Sequence, residues 1–115
     1  MPTKTLSVTA ANGTWVIRAA GAVIGESSNA LLLEEEGRPA IIYFPRSDVE
    51  MAFLDASDKT SVSPDKGTAR YFSIAAKSGT IKDAAWSYED PAEAVARVKD
   101  HLAFHASDKV AVEQL

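Results

Sequence analysis

Cysteine is absent from all 115 residues. Disulfides, thiolate zinc sites and a cysteine nucleophile are excluded together. Long apolar runs are missing too, since none approaches the roughly 18 residues of a membrane span. The opening "MPTKTLSVTA" has no extended apolar core of the signal-peptide kind, so no membrane partner and a cytoplasmic location are expected. Basic charge is in short supply. Twelve Lys and Arg stand against sixteen Asp and Glu, for a net charge of −4, and the basic residues are scattered. Neutralising a phosphate backbone needs a clustered excess of cations, so nucleic acid is not an expected partner. Internal repeats, low-complexity segments and linkers are also lacking.

What is present is ordinary globular material: 46% hydrophobic and 24% charged residues. The length suits one core, hence a single domain over residues 1–115. Period-two alternation dominates the first half. Leu6, Val8 and Ala10 share one face of a strand, and Trp15, Ile17 and Ala19 share one face of the next. Asn12-Gly13 between them predicts a tight hairpin. "ALLLE" (30–34) and the almost continuously apolar "AIIYF" (40–44) read as strands separated by Gly37-Arg38-Pro39. Ser47 followed by Glu50 has capping-box spacing and predicts a short helix, with Val49 and Phe53 four apart. Residues 55–67 read as loop. "TARYFSIAA" (68–76) and "TIKDAAWSY" (80–88) form a second hairpin through Ser78-Gly79. Asp90, Pro91 and Glu93 then predict the N-terminus of a helix with Val95, Val98 and Leu102 on one face. "KVAVEQL" supplies a last strand. The expected fold is mainly β, with about eight short strands and one or two short helices.

The segments "GESSNALLLEEEGRPAIIYFPRSDV" (25–49), "KGTARYFSI" (66–74), "DAAWSYEDPAEAV" (83–95) and "LAF" (102–104) follow one consistent order. Together they resemble the domain of unknown function 427 family, a mostly bacterial and fungal group also catalogued as nucleotidyltransferase-like. The resemblance implies a compact β-tent domain, barrel-like and similar to the Mss4-like fold. It implies no biochemical activity. One departure matters. The family's loop reads Cys-Pro-Tyr-Lys-Gly, whereas this chain has Ser63-Pro64-Asp65-Lys66-Gly67. A serine hydroxyl does not ionise near neutral pH, which argues against thiol redox or soft-metal chemistry at this loop.

The candidate site follows from the matched polar and aromatic positions. Trp86 and Tyr88 alternate along one strand, so their rings share a face; they either fill the core or wall a pocket. Lys66 and Arg46 would bring positive charge to such a pocket, with Ser27 and Tyr43 as hydrogen-bonding groups. Glu34 matches the family's acidic position, and turned inward it needs a partner such as Arg46, Arg70 or Lys66. This set suits a small polar or anionic ligand and contains no self-evident general base, so binding is favoured over catalysis. Lys66 faces either that anion or a buried carboxylate, and the sequence inclines toward the carboxylate.

Other constellations are weaker. Asp48-Val49-Glu50-Met51 matches the acidic run of a metal-dependent nucleotidyltransferase, but Arg38 follows Gly37 where serine is needed, and a helix would point the two carboxylates apart. His101 and His105 have the spacing of a helical zinc pair but lack the intervening glutamate and a third ligand. No cofactor and no metal are expected. The alternatives to ligand binding are a noncatalytic interaction module, pairing as a homodimer through an exposed strand, and metal-dependent nucleotidyl transfer.

Overall fold

The computed structural model describes residues 5–115. Ten strands run in chain order: β1 (Leu6–Ala10), β2 (Trp15–Ala19), β3 (Ala22–Ser27), β4 (Leu31–Glu35), β5 (Ile41–Pro45), β6 (Leu54–Ser63), β7 (Gly67–Ala76), β8 (Gly79–Tyr88), β9 (His101–Phe104) and β10 (Val110–Gln114). They form a seven-stranded sheet, ordered β1-β4-β5-β9-β8-β7-β6, and a three-stranded sheet, ordered β10-β2-β3. All the pairings between these strands are antiparallel. The mainly β expectation holds, with ten strands rather than about eight. No helix among the described residues is long and apolar enough to cross a membrane.

Short helical segments are present where the sequence predicts them, but as 3₁₀ turns without the expected caps. Around Ser47 the chain makes two separate 3₁₀ turns, Arg46–Asp48 and Met51–Phe53, and neither has a side-chain cap. Val49 is extended between them and bridges to Gly25, which ties this segment to the small sheet. After Pro91 the helix is a kinked 3₁₀ stretch, Glu93–Val98, with no side-chain cap. Val95 and Val98 are fully buried there, and Leu102 lies beyond, on strand β9. Burial of a few apolar side chains, not helical propensity, decides the local path.

Two other expectations are corrected. Asn12-Gly13 does not close a β1–β2 hairpin: β1 pairs with β4 in the large sheet, while β2 pairs with β3 and β10 in the small one. The dipeptide marks the chain's passage from one sheet to the other. Residues 55–63, read as loop, belong to β6. This is an outer strand, and its polar side chains are mostly exposed. Its pairing with β7 slips, so that residues 57–59 stand opposite Tyr71 alone. Such a bulge bends the strand and redirects its side chains.

The faces of the large sheet differ. Phe44, Phe72, Leu102 and Phe104 pack with Ile17, Ile24 and Val110 of the small sheet, forming the main core. The opposite face carries Leu33, Tyr43, Trp86 and Tyr88, covered in part by Val95 and Val98. The candidate site lies on this second face.

Candidate functional site

Strand alternation assembles the site. On β4 the period-two face that buries Leu31 and Leu33 also buries Glu35. Leu31 stands opposite Tyr43 on β5, and Leu33 opposite Ile41. Trp86 on β8 stands between Tyr71 of β7 and Ala103 of β9. Two residues beyond Ala103 comes His105. Glu35, Tyr43, Tyr71, Trp86, Tyr88 and His105 thereby border one cavity of about 280 Å³, with Lys66 and Arg38 at its polar end.

The Lys66 turn closes the β6–β7 hairpin, in which Ser63 pairs with Gly67. Gly67 has φ of +109°, and a Cβ there would lie 3.2 Å from the backbone oxygen of Asp90. The Ala92 N–H donates to the Lys66 carbonyl at 2.9 Å. Glycine is therefore required both by backbone conformation and by the close approach of residues 90–92. This clamp aims the Lys66 side chain, whose Nζ donates to Glu35 Oε1 at 2.7 Å. Both groups are largely removed from water, with side-chain exposures of 13% and 6%. The second Glu35 oxygen lies 3.8 Å from Nε of Arg38, whose side chain is 64% exposed.

The aromatic end is equally ordered. Trp86 Nε1 donates to the Tyr43 hydroxyl at 3.1 Å, and the rings meet edge to face at 6.3 Å. The His105 imidazole lies 4.4 Å from the Trp86 ring and stacks on Tyr71 at 6.2 Å. Lys59, from the β6 bulge, sits with Nζ 4.6 Å over the Tyr71 ring. Burial pushes the Tyr43 phenol well above its ordinary value and raises Tyr88 as well; neighbouring phenols and the Glu35 carboxylate add to both. Burial lowers His105, with the Lys59 charge second, so its imidazole is neutral at physiological pH. The site presents neutral donors and flat walls beside the Lys66–Glu35 ion pair.

Residues 7–114 match the family described as Domain of unknown function (DUF427), which spans nearly the whole chain. The chain belongs to the DUF427 family. No curated protein matches it. The DUF427 resemblance read from "DAAWSYEDPAEAV" and "KGTARYFSI" thus singled out two segments that meet in space, because Asp90 and Ala92 pack directly on the Lys66-Gly67 turn. Ser63 occupies the end of β6.

Of the residues singled out in the sequence, Lys66, Tyr43, Trp86 and Tyr88 come together in this cavity. Three do not join them. Glu34 is exposed and lines an adjoining surface cleft with Thr5 and Glu36, a cleft that shares Glu35 and Arg38 with the cavity; the carboxylate paired with Lys66 is Glu35. Arg46 lies on the opposite face of the sheet, over the Phe72 ring at 5.6 Å, with Nη2 3.6 Å from Glu89. Ser27 belongs to β3 of the small sheet, where its hydroxyl donates to Asp48 Oδ2 at 2.6 Å and accepts from Asn29 N–H at 2.9 Å. Asp48 is thus engaged in holding a turn. His101 and His105 are separated by extended chain, roughly 13 Å for four residues, and do not form a chelating pair. Among the described residues no three His, Asp or Glu side chains are grouped to hold a metal ion.

Glu35, Tyr71 and Arg38 were not assigned to this site from the sequence, and His105 was weighed only as half of a zinc pair with His101. Glu35 had a usable signal, the period that continues Leu31 and Leu33. Tyr71 had one too, as the cross-strand neighbour of Trp86 in the β7–β8 hairpin. His105 had none, because the segment read as helix.

Proposed function

We propose that this chain binds a small, flat, polar ligand in the cavity between Lys66–Glu35 and Trp86–His105. The observation that carries the reading is convergence: a buried ion pair, three phenols, an indole and a neutral imidazole meet around one concave space of about 280 Å³. Apolar walls with a few directed polar groups are the usual make-up of a small-molecule site. Such a volume suits one ring system with a small substituent. Among the described residues that line the cavity, the fixed charges are the Glu35 carboxylate and the cations Lys66 and Arg38, with Lys59 behind the Tyr71 ring, a setting that favours a neutral or anionic occupant.

Self-association through an open strand is less well served. The outer strand β6 carries Asp55, Asp58 and Lys59 and a register break, features that discourage edge-to-edge pairing.

The test is a fragment panel of planar ring compounds, followed by the Trp86 indole N–H resonance and the ring protons of His105. Binders should shift both signals together and compete with one another. If no flat compound moves either signal at millimolar concentration in the folded protein, the pocket reading is wrong.

A further inference from the structure

A second cavity of about 340 Å³ adjoins the proposed site. Trp15 and Val112 reach it from the small sheet, and Leu32, Ile42 and Phe104 from the large one. Ile41 and Trp86 line it as well, and the same two residues line the first cavity. Strand pairing accounts for the shared wall. Ile42 and Phe104 belong to the main core, whereas Ile41 and Trp86 belong to the opposite face of the large sheet. β5 pairs with β9 only through Phe44 with Leu102 and Pro45 with His101, while residues 41–43 pair with β4. β9 stays with β8, where Phe104 and Ala103 stand opposite Ala85 and Trp86. The ladder between β5 and β9 thus stops short of Ile41, leaving a seam in the sheet beside Trp86.

The second cavity is chemically uniform. Its lining residues are all Trp, Phe, Leu, Ile, Val or Ala, so no charged side chain belongs to its walls. Both indole N–H groups are already engaged: Trp15 Nε1 donates to the Asn12 carbonyl at 3.0 Å, and Trp86 Nε1 to the Tyr43 hydroxyl. A polar group entering this space would give up water and find no side-chain partner. An apolar one would gain, because Trp15, Leu32, Ile41, Ile42 and Val112 are only half-buried and keep apolar surface in water. From this continuity we infer that the ligand of the proposed site is amphipathic. Its flat polar ring lies against His105 and Trp86, and an aliphatic chain passes Trp86 and Ile41 into the second cavity. The inference rests on the pocket reading above and extends it from a ring system to a ring with a hydrocarbon tail. Tail length, not charge, is what the second cavity selects.

Benzamide and its para-ethyl, para-butyl and para-hexyl derivatives test this, since charge stays constant while the tail grows. Trp15 lines the second cavity and not the first, and His105 the first and not the second, so the indole N–H of one and the ring protons of the other report separately. Affinity by calorimetry should rise roughly tenfold for each two methylenes until the cavity is full. Every compound should shift His105, and only the longer ones Trp15. Ala106→Phe fills the second cavity from an exposed position outside the first. It should bind benzamide as the parent does and lose the gain with chain length. Ala40→Phe, at the other exposed wall residue, should do the same and decides the matter if the first variant misfolds. Benzamide shifting His105 with no gain along the series, or with Trp15 unmoved by the hexyl compound, overturns the tail and leaves the pocket reading standing. A gain that survives both substitutions is nonspecific apolar partition and overturns it too. So does a Trp15 signal that changes with protein concentration alone, which would mean that a second copy of the chain covers the cleft. If no compound of this series or of the wider panel moves His105, the pocket reading goes as well.

Discussion

Lys66 reaches from a hairpin turn of one strand pair to Glu35 on another strand, and the two charges meet at 2.7 Å almost out of solvent. A buried pair of this kind is unforgiving of the loss of one partner. Lys66→Met leaves the carboxylate in low dielectric with Arg38 still 3.8 Å away. The expected destabilisation is about 3 kcal/mol, and Glu35→Gln, which keeps shape and an acceptor, should lose about half as much. Replacing both by Met and Leu should recover part of the loss. Urea midpoints for the three variants check this; a loss below about 1 kcal/mol in Lys66→Met would mean that water reaches the pair.

Gly67 and Gly79 both have φ in the region that L side chains avoid, +109° and +132°. Only Gly67 has backbone beside it, with Asp90 O at 3.2 Å from a built Cβ, while nothing lies within 4 Å at Gly79. Alanine at either position should lose about 1–3 kcal/mol from backbone strain. Gly67→Ala should lose roughly 1 kcal/mol more, because the neighbour is main chain and cannot swing aside. Equal losses in chemical denaturation would dismiss the role given to close approach.

His105 gives the fold a pH dependence with a defined sign. Its folded value is depressed by burial and then by Lys59, so the unfolded chain binds its proton first as pH falls. Stability is therefore fully present above the ordinary histidine value of about 6.5 and is lost as pH drops through the lower folded value. His105→Gln should lose less stability than the parent between about pH 7 and pH 5. Thermal midpoints at both pH values, compared between the two proteins, isolate this contribution from that of the carboxylates. Parallel pH profiles would contradict it.

The phenols act at the other end of the scale. Tyr43 and Tyr88 hold their protons in the folded state beyond the ordinary tyrosine value near 10, whereas the unfolded chain releases them there. Above about pH 10 the unfolded state binds fewer protons, so stability falls as pH rises. Tyr43→Phe and Tyr88→Phe should each flatten that alkaline decline, with the larger effect at the fully buried Tyr43. Guanidinium midpoints at about pH 8 and pH 11 give the comparison; no flattening in Tyr43→Phe would place its phenol in contact with bulk water.

Alternation made most of the strands legible in the sequence, and with them the shared face of Trp86 and Tyr88. Where long-range pairing overrode local signals, the sequence misled. Asp90-Pro91 looked like a helix start, yet the following valines serve as covers for a sheet face, and the chain re-enters the sheet at His101. The polar run 55–63 looked like loop because an outer strand needs few apolar residues. At the site, Lys66 was found through its turn and its family match, and a buried carboxylate was the favoured partner. Choosing Glu34 over Glu35 was an error of one register position, which in a strand reverses the face. Arg46 and Ser27 were mispaired with the cavity because charge and hydroxyl chemistry carry no information about which face of which sheet they occupy.

The strand order has a bearing on how the chain acquires its shape during synthesis. β2 needs β10, and β5 needs β9, partners made near the far end of the chain. A nascent polypeptide complete only through β8 holds hairpins but not the β9 strand that joins β5 to β8, nor β10, one of the two outer strands of the small sheet. Assembly is consequently a late, cooperative event with costly loop closures, of the kind that folds slowly. Until then Ile17, Phe44 and Phe72 lack Leu102, Phe104 and Val110, the late-made residues that complete their shared core.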